Sequence, residues 1–400
     1  MNILFLTKEY YHEKLPSSGG TGRFISNLSK SLVNEGHTVF VFGLEKKSIF
    51  IDDFGVKVTY KKNKLLRNHI YKLCKSISKK VSFLRKYHDE ILKSELKLIV
   101  KELDKFILKN NLQIDIIETH DFDGISLYLD KKIPYVVRCH GCFTLFHTYF
   151  NVAVKEHVLN SEREAFNKAK NIITISKYSE SLYKKLFNIN KSKLIYNGID
   201  TEKFKKIEGD LIPKSIFYLG NTSIEKGADI AIEVFIEILK IESNSTLHFI
   251  GRETSYKSEI LQILTDNNIT DKVFFYGFQT VEEIVKLISK AETVIFPSTG
   301  ETFGLALCET MAIGKPVVVS NIGSFNEIIE NKYNGIIANT IQDYIDSIQF
   351  LFENKQEAIK IGENARKTIL EKFNETKLLN ETLDYYQEVI SNHGVTKINE

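Results

Sequence analysis

The 400-residue sequence contains no Trp, 2 Met, 4 Cys and 5 Pro. Four cysteines at this length do not make a disulfide framework, so a reducing cytoplasm is the expected compartment. Few prolines and only 21 Gly exclude collagen-like and loop-rich β classes. No run reaches the roughly 18 apolar residues that a membrane-spanning helix needs. The first apolar stretch, residues 3–6, is followed at once by Lys8 and Glu9, too short for a signal peptide. What is present is a globular composition, 43% hydrophobic and 26% charged, which excludes disorder. The length argues for two domains.

The net charge of +3 conceals an asymmetry. Residues 57–109 hold 16 Lys and Arg against 5 Asp and Glu, a net of +11, so the other 347 residues carry −8. Leu65, Leu66, Ile70, Leu73, Ile77, Val81 and Leu84 recur at spacings of three or four, which predicts a helix with one apolar stripe and a Lys-rich face. Such a face either is simply solvated or is drawn to anionic lipid or a phosphorylated acceptor. Nucleic acid is not an expected partner, because no aromatic-interleaved basic motif or zinc finger accompanies the charge.

Short apolar runs alternate with amphipathic stretches along the whole chain. The runs are 3–6, 38–42, 56–60, 114–118, 135–137, 171–175 and 193–196, then 216–219, 246–250, 273–276, 293–296, 316–319 and 335–338. Helical periodicity falls between them, as in 21–35, 229–242, 281–291 and 306–314. This rhythm predicts parallel sheets covered by helices on both faces. It occurs twice, so the expected fold is α/β with two Rossmann-like doubly wound domains facing a central cleft. The expected domains are 1–203 and 204–375, with a final helix over 376–400 packing back on the first. In such sheets ligands bind outside the carboxyl ends of the strands.

The most informative stretch is 294–320, VIFPSTGETFGLALCETMAIGKPVVVS. A buried strand ends at Pro297, a polar loop follows, and a helix starts at Gly304 and stops at Gly314. Gly304 lets a ligand approach the backbone. The N–H groups of Gly304, Leu305 and Ala306 form a helix N-terminus suited to phosphate. Glu301 and Glu309 flank it. Carboxylates beside an anion site make sense when they accept hydrogen bonds from sugar hydroxyls.

Glu301 to Glu309, with its P-S-x-x-E-x-F-G context, resembles the E-x7-E motif of retaining glycosyltransferases of family 4, which have the GT-B fold. The resemblance covers nearly the whole chain. It implies transfer of a sugar from a UDP- or GDP-sugar to a hydroxyl acceptor with retention and without metal, and the basic segment adds surface polysaccharide or glycolipid synthesis as the expected setting. It assigns Glu301 to the donor sugar's hydroxyls, the backbone of Phe303, Gly304, Leu305 and Ala306 to the diphosphate, and Glu309 to the ribose. The loop 220–227 is similar to the family's G-R-x-x-x-x-K-G loop, which makes Lys226 the cation on the donor phosphates. Asn221 stands where the family has arginine, so one of two expected positive charges is missing. Gly19, Gly20 and Arg23, in a Gly-rich turn after the first strand, are similar to a loop near the donor phosphates or the acceptor. Read alone, that turn is a weak phosphate signal. His120, at the end of its strand, resembles the family histidine beside the reacting sugar, and His140 matches an acceptor-side position. No cofactor is implied. The expected acceptor is a saccharide or a lipid-linked molecule, with a soluble small molecule as the alternative, and the charge of 57–109 points to an anionic membrane faced from the cytoplasmic side.

Two patterns point elsewhere. Asp121 and Asp123 form a D-x-D, which in another glycosyltransferase fold holds a metal. Cys139 and Cys142 form a C-x-x-C with no second pair to complete a zinc site. A nucleotide-sugar epimerase and a non-catalytic nucleotide-sugar-binding partner are the competing readings. A dehydrogenase is the least expected reading, since no dinucleotide fingerprint is present.

Overall fold

The computed structural model describes residues 1–16, 18–64, 85–130 and 132–398, with side chains described outside 85–92 and 395–398. The apolar stripe expected over 65–84 lies outside the described residues. The chain divides into two compact units. The first comprises Met1–Ile175, Ser179–Ile195 and Leu379–Glu400, and the second Ser176–Tyr178 and Tyr196–Leu378.

The first unit is built on β1 (Asn2–Leu6), β2 (Thr38–Glu45), β3 (Ile49–Asp53), β4 (Val56–Lys62), β5 (Ile116–His120), β6 (Tyr135–Cys139), β7 (Ile172–Thr174) and β8 (Lys193–Leu194). Their order in the sheet is β3-β4-β2-β1-β5-β6-β7-β8. Neighbours run parallel except β3 and β4, which form an antiparallel hairpin. The apolar runs become central strands because both faces of the sheet are covered. Helix α1 (Gly20–Asn34) buries Ile25, Leu28 and Leu32. Helix α2 (Arg85–Lys109) lays Ile99, Leu103 and Phe106 on Leu4, Phe40, Phe42 and Ile117 of the strands. The order reverses between β1 and β5, so the crevice of this sheet opens at the carboxyl ends of those two strands.

The second unit has six strands, β9 (Ser215–Leu219), β10 (Thr246–Ile250), β11 (Val273–Phe275), β12 (Thr293–Phe296), β13 (Val317–Ser320) and β14 (Ile336–Ala338). All are parallel, in the order β11-β10-β9-β12-β13-β14. Its core sets Ile216, Phe249, Ile295 and Val318 against the helices that follow the strands. Here the order reverses between β9 and β12, and the crevice belongs to their carboxyl ends.

The structure differs from the sequence expectation at two strands. β5 lies two residues later than the run 114–118 and ends on His120 itself. β3 was not expected, because its burial alternates and it carries Asp52 and Asp53. The last helix, Glu375–Ile398, joins the first unit from Leu379 onward. It is fixed there by a fully buried group. Arg138 donates from Nε and Nη2 to the two oxygens of Glu118 at 2.9 and 3.0 Å, and Tyr386 donates to Glu118 Oε2 at 2.5 Å.

Candidate active site

In the second unit, strand β9 runs into Gly220 and a short turn, Ile224–Lys226, that closes on Gly227. Gly227 has φ +72°, and a Cβ there would sit 2.0 Å from the Pro297 carbonyl oxygen. Only glycine lets this turn pass so close to the end of β12. Thr299 donates from its backbone N–H to the Glu225 carbonyl at 3.1 Å, which ties the two loops together. The result brings Lys226 and Glu301 to one place. Lys226 Nζ lies 2.5 Å from Glu301 Oε1, and Ser298 donates to the same oxygen at 3.3 Å. The pair is partly exposed, with 35% and 20% of the side chains open to solvent, as a ligand site requires.

Lys226, Ser298, Glu301, Gly304, Ala306 and Phe325 line a cavity of about 60 Å³ at the switch point between β9 and β12. Gly304 begins the helix Leu305–Ile313 with φ +117° and no side-chain cap. The first-turn amides of this helix therefore have no capping side chain of their own, and the helix dipole points its positive end into the cavity. A Cβ at Gly304 would come within 2.8 Å of the Phe325 ring. Phe303 is buried, its ring centroid 5.7 Å from that of Phe373, so its side chain anchors the loop while its backbone faces the helix start. Ser176 donates to the Thr302 carbonyl at 2.6 Å and holds the same loop. Glu309 is buried on the helix, three residues beyond Ala306 and on the same face.

Asn221 is exposed at the start of the β9 loop. Its neighbour Thr222 donates from its N–H to the Arg252 carbonyl at 3.0 Å. This brings the backbone of Arg252 beside the position where the family has arginine. Arg252 and Ser176 were not singled out from sequence, and Ser298 only as part of the P-S-x-x-E context. Arg252 follows β10, which is adjacent to β9 in the sheet and distant in the chain, and Ser176 is 126 residues from Thr302, so no local spacing marks either.

In the first unit the expected residues gather around the β1–β5 crevice. His120 is fully buried. The Lys8 N–H donates to His120 Nε2 at 3.2 Å, so Nε2 is the acceptor and the neutral ring carries its proton on Nδ1. Burial, with Lys8 and His140 adding to it, lowers its pKa well below the usual histidine value. The ring stacks on Phe122 at 3.5 Å. A neutral imidazole with Nε2 engaged can donate from Nδ1 but cannot accept a proton there. His140 follows β6, its ring 4.8 Å from Phe24, and burial, aided by Arg138, lowers its pKa to about 3. Gly19 precedes α1, and its N–H donates to Glu9 Oε2 at 3.1 Å. Gly20 opens the helix, and Arg23 lies 5.7 Å from the centre of the Tyr11 ring. A carboxylate at this helix start is unfavourable for a phosphate and suits a hydroxyl.

Asp121 and Asp123 are each engaged by the protein. Asp121 accepts from the N–H groups of His140 and Gly141 and from the Tyr183 hydroxyl. Burial first, and Glu162 nearby, push its pKa up to about 7. Asp123 pairs with Lys8 at 2.8 Å. Glu162 accepts from the N–H groups of Asp123, Phe143 and Thr144. Asp121 and Glu162 thus tie together the loops that follow β5 and β6. Cys139 and Cys142 are free and buried, and burial pushes both thiols up. Cys142 Sγ accepts from the Leu145 N–H and caps the helix Phe143–Phe150. Among the described residues no three His, Cys, Asp or Glu side chains form a metal-ligand group.

Two nucleotide-binding-type sheets, with a lysine, a carboxylate and an uncapped helix start at one switch point, define a glycosyltransferase of the GT-B type. The chain is a family 4-type glycosyltransferase by its two domain matches: residues 18–203 match the model described as Glycosyltransferase Family 4, and residues 200–368 match the one described as Glycosyl transferases group 1. N-acetyl-alpha-D-glucosaminyl L-malate synthase of Bacillus anthracis is 23% identical over 395 residues, covering 96% of this chain and 97% of its own. Among solved structures, sucrose-phosphate synthase from Thermosynechococcus elongatus superposes with a TM-score of 0.77 at 16% identity, covering 98% of this chain and 100% of its own. Anabaena HepE, solved with UDP and glucose, gives 0.72 at 19% identity over 96% and 98% of the two chains.

Proposed function

We propose that the protein transfers a sugar from a nucleotide-sugar donor to a hydroxyl acceptor, with retention at the anomeric carbon and without a metal. The observation that carries this reading is the meeting of Lys226, Glu301 and the uncapped helix start at Gly304 in one cavity. Departure of the nucleoside diphosphate builds negative charge. Lys226 and the first-turn amides stabilise it, and each such donor contributes on the order of 3 kcal/mol in a water-excluded site. Glu301 takes the sugar hydroxyls. It is paired with Lys226 and hydrogen-bonded by Ser298, so it is a poor covalent nucleophile. The leaving phosphate then takes the acceptor proton on the face it leaves, which gives retention. Glu309 binds the ribose. His120 is the residue we assign beside the reacting sugar, by its likeness to the family histidine. Gly19, Gly20, Arg23 and His140 belong to the acceptor side.

The UDP and glucose bound by HepE support a nucleotide-sugar donor. The charge of 57–109 supports an acceptor at an anionic membrane surface, saccharide or lipid-linked. No described helix is long and apolar enough to cross a membrane.

The test is a thermal-shift panel of UDP, GDP, ADP and their sugars, in EDTA and then with magnesium. At about 100 times the dissociation constant, binding adds about 2.7 kcal/mol, or roughly 5–10 °C for a unit of this size. A shift with one nucleotide in EDTA is the expected result and names the base. A shift only with magnesium contradicts the metal-free reading.

A further inference from the structure

The three most exposed large apolar side chains among the described residues are Phe54, Leu108 and Phe50, at 83%, 79% and 64%. All three fall between residues 49 and 109, in or next to the basic segment. Two of them sit on the β3–β4 hairpin at the edge of the first sheet.

Phe54 occupies a position that local structure does not favour. Asp53 pairs with Val56, so the hairpin loop is the two residues Phe54 and Gly55. Both have positive φ, +53° and +88°. A two-residue loop of this kind favours Asn-Gly, and a bulky residue in the left-handed region is strained. A Phe there adds strain and exposes an aromatic ring without filling any core. Its neighbours are cationic. Lys30 Nζ lies 5.1 Å above the Phe54 ring, and Lys61 Nζ lies 4.7 Å above the Phe50 ring. Residues 46–64 hold six Lys against two Asp, and one of those, Asp53, is buried and paired with Lys30 at 2.9 Å. Exposed aromatic rings set among lysines match the boundary of an anionic bilayer, where rings enter the acyl region and ammonium groups meet lipid phosphates.

We propose that the β3–β4 hairpin docks the protein on an anionic bilayer, with Phe50 and Phe54 inserted and Lys46, Lys47, Lys57 and Lys61 against the headgroups. The proposal deepens the membrane-side part of the proposed function and does not depend on the donor chemistry.

The test is flotation of the full chain with vesicles of phosphatidylcholine, with and without phosphatidylglycerol. The wild type is expected to float only with the anionic vesicles, and less as salt rises. The variant Phe50→Thr/Phe54→Asn is expected to lose about tenfold or more in binding. It places a strand-favouring residue in β3 and the preferred residue in the turn, so its melting temperature should hold or rise. An unchanged nucleotide-induced thermal shift shows that the donor site is intact, which separates failure of this proposal from failure of the transferase reading. Equal flotation of variant and wild type overturns the proposal and places binding elsewhere in 57–109. No flotation of the wild type also overturns it. So does wild-type self-association that the variant abolishes, which would mark the β3 edge as a contact between copies.

Discussion

The contact between Lys226 and Glu301 sets two demands against each other. Lys226, which we propose holds the departing diphosphate, is paired with Glu301, which we propose holds the sugar. On that proposal, donor binding replaces one anion with another at Lys226 and frees Glu301 for hydroxyls. Glu301→Gln removes the competing charge. We expect nucleoside diphosphate to bind about two- to fivefold tighter, the modest scale of a partly exposed ion pair. Transfer is expected to fall about a hundredfold or more, since the amide is a weaker acceptor for the sugar hydroxyls. Calorimetric titration and initial rates read the two effects separately. Weaker nucleotide binding in this variant would remove Glu301 from the anion's side of the cavity.

At the scale of the element, the helix Leu305–Ile313 shows how two glycines with similar backbone serve different ends. Gly304 at its start has φ +117° and lies against Phe325, and Gly314 at its end has φ +81° with its nearest Cβ neighbour at 3.6 Å. Gly304→Ala is expected to cost about 1–3 kcal/mol and to turn the first amides away from the cavity, so the nucleotide-induced thermal shift shrinks. Gly314→Ala strains the backbone alone and should leave that shift intact. Comparing the two melting series separates loss of stability from loss of the site. This helix was legible in the sequence because its start, its stop and its flanking strands fall within 27 residues. Lys226 was legible for the same reason, as part of one loop after one strand. The partners Thr222 and Arg252 were not, because a parallel sheet joins loops across long connections, and neither was Ser176, which is 126 residues from Thr302 in the chain. Buried strands were read from their apolar runs. The edge strand β3 was not, because an edge with one open face carries Asp and an exposed Phe in place of a continuous run. Asp121 read as a metal signal because spacing alone does not show that its oxygens are taken by two backbone amides and Tyr183.

At the scale of the whole molecule, the first unit is completed by the last residues of the chain. Leu379, Tyr386 and Val389 are buried in it, and Tyr386 and Thr382 close the hydrogen bonding of Glu118 and Arg138. The second unit is nearly continuous, and its closing contacts come before residue 379: Ile199 donates to the Phe373 carbonyl at 2.8 Å, and Glu375 donates to the Ile199 carbonyl at 3.1 Å. A chain ending at residue 378 should therefore affect the units unequally. Three buried side chains at about 1.5–3 kcal/mol each amount to much of the roughly 5–15 kcal/mol that holds a domain. The buried Glu118–Arg138 pair would also lose the hydroxyls that satisfy it, which is costly for charges in the interior. We expect scanning calorimetry of 1–378 to show the first unit melting far earlier or not folding, with the second unit's transition kept. Nucleotide should still raise that second transition by its full increment, while sugar transfer should disappear, because His120 and the residues we propose for the acceptor go with the first unit. Tyr386→Phe is the graded version. It removes one hydrogen bond to a charged acceptor, about 1.5–3 kcal/mol, and should lower only the first transition. A truncation that left both transitions in place would mean that the sheet of the first unit holds its buried ion pair without the helix.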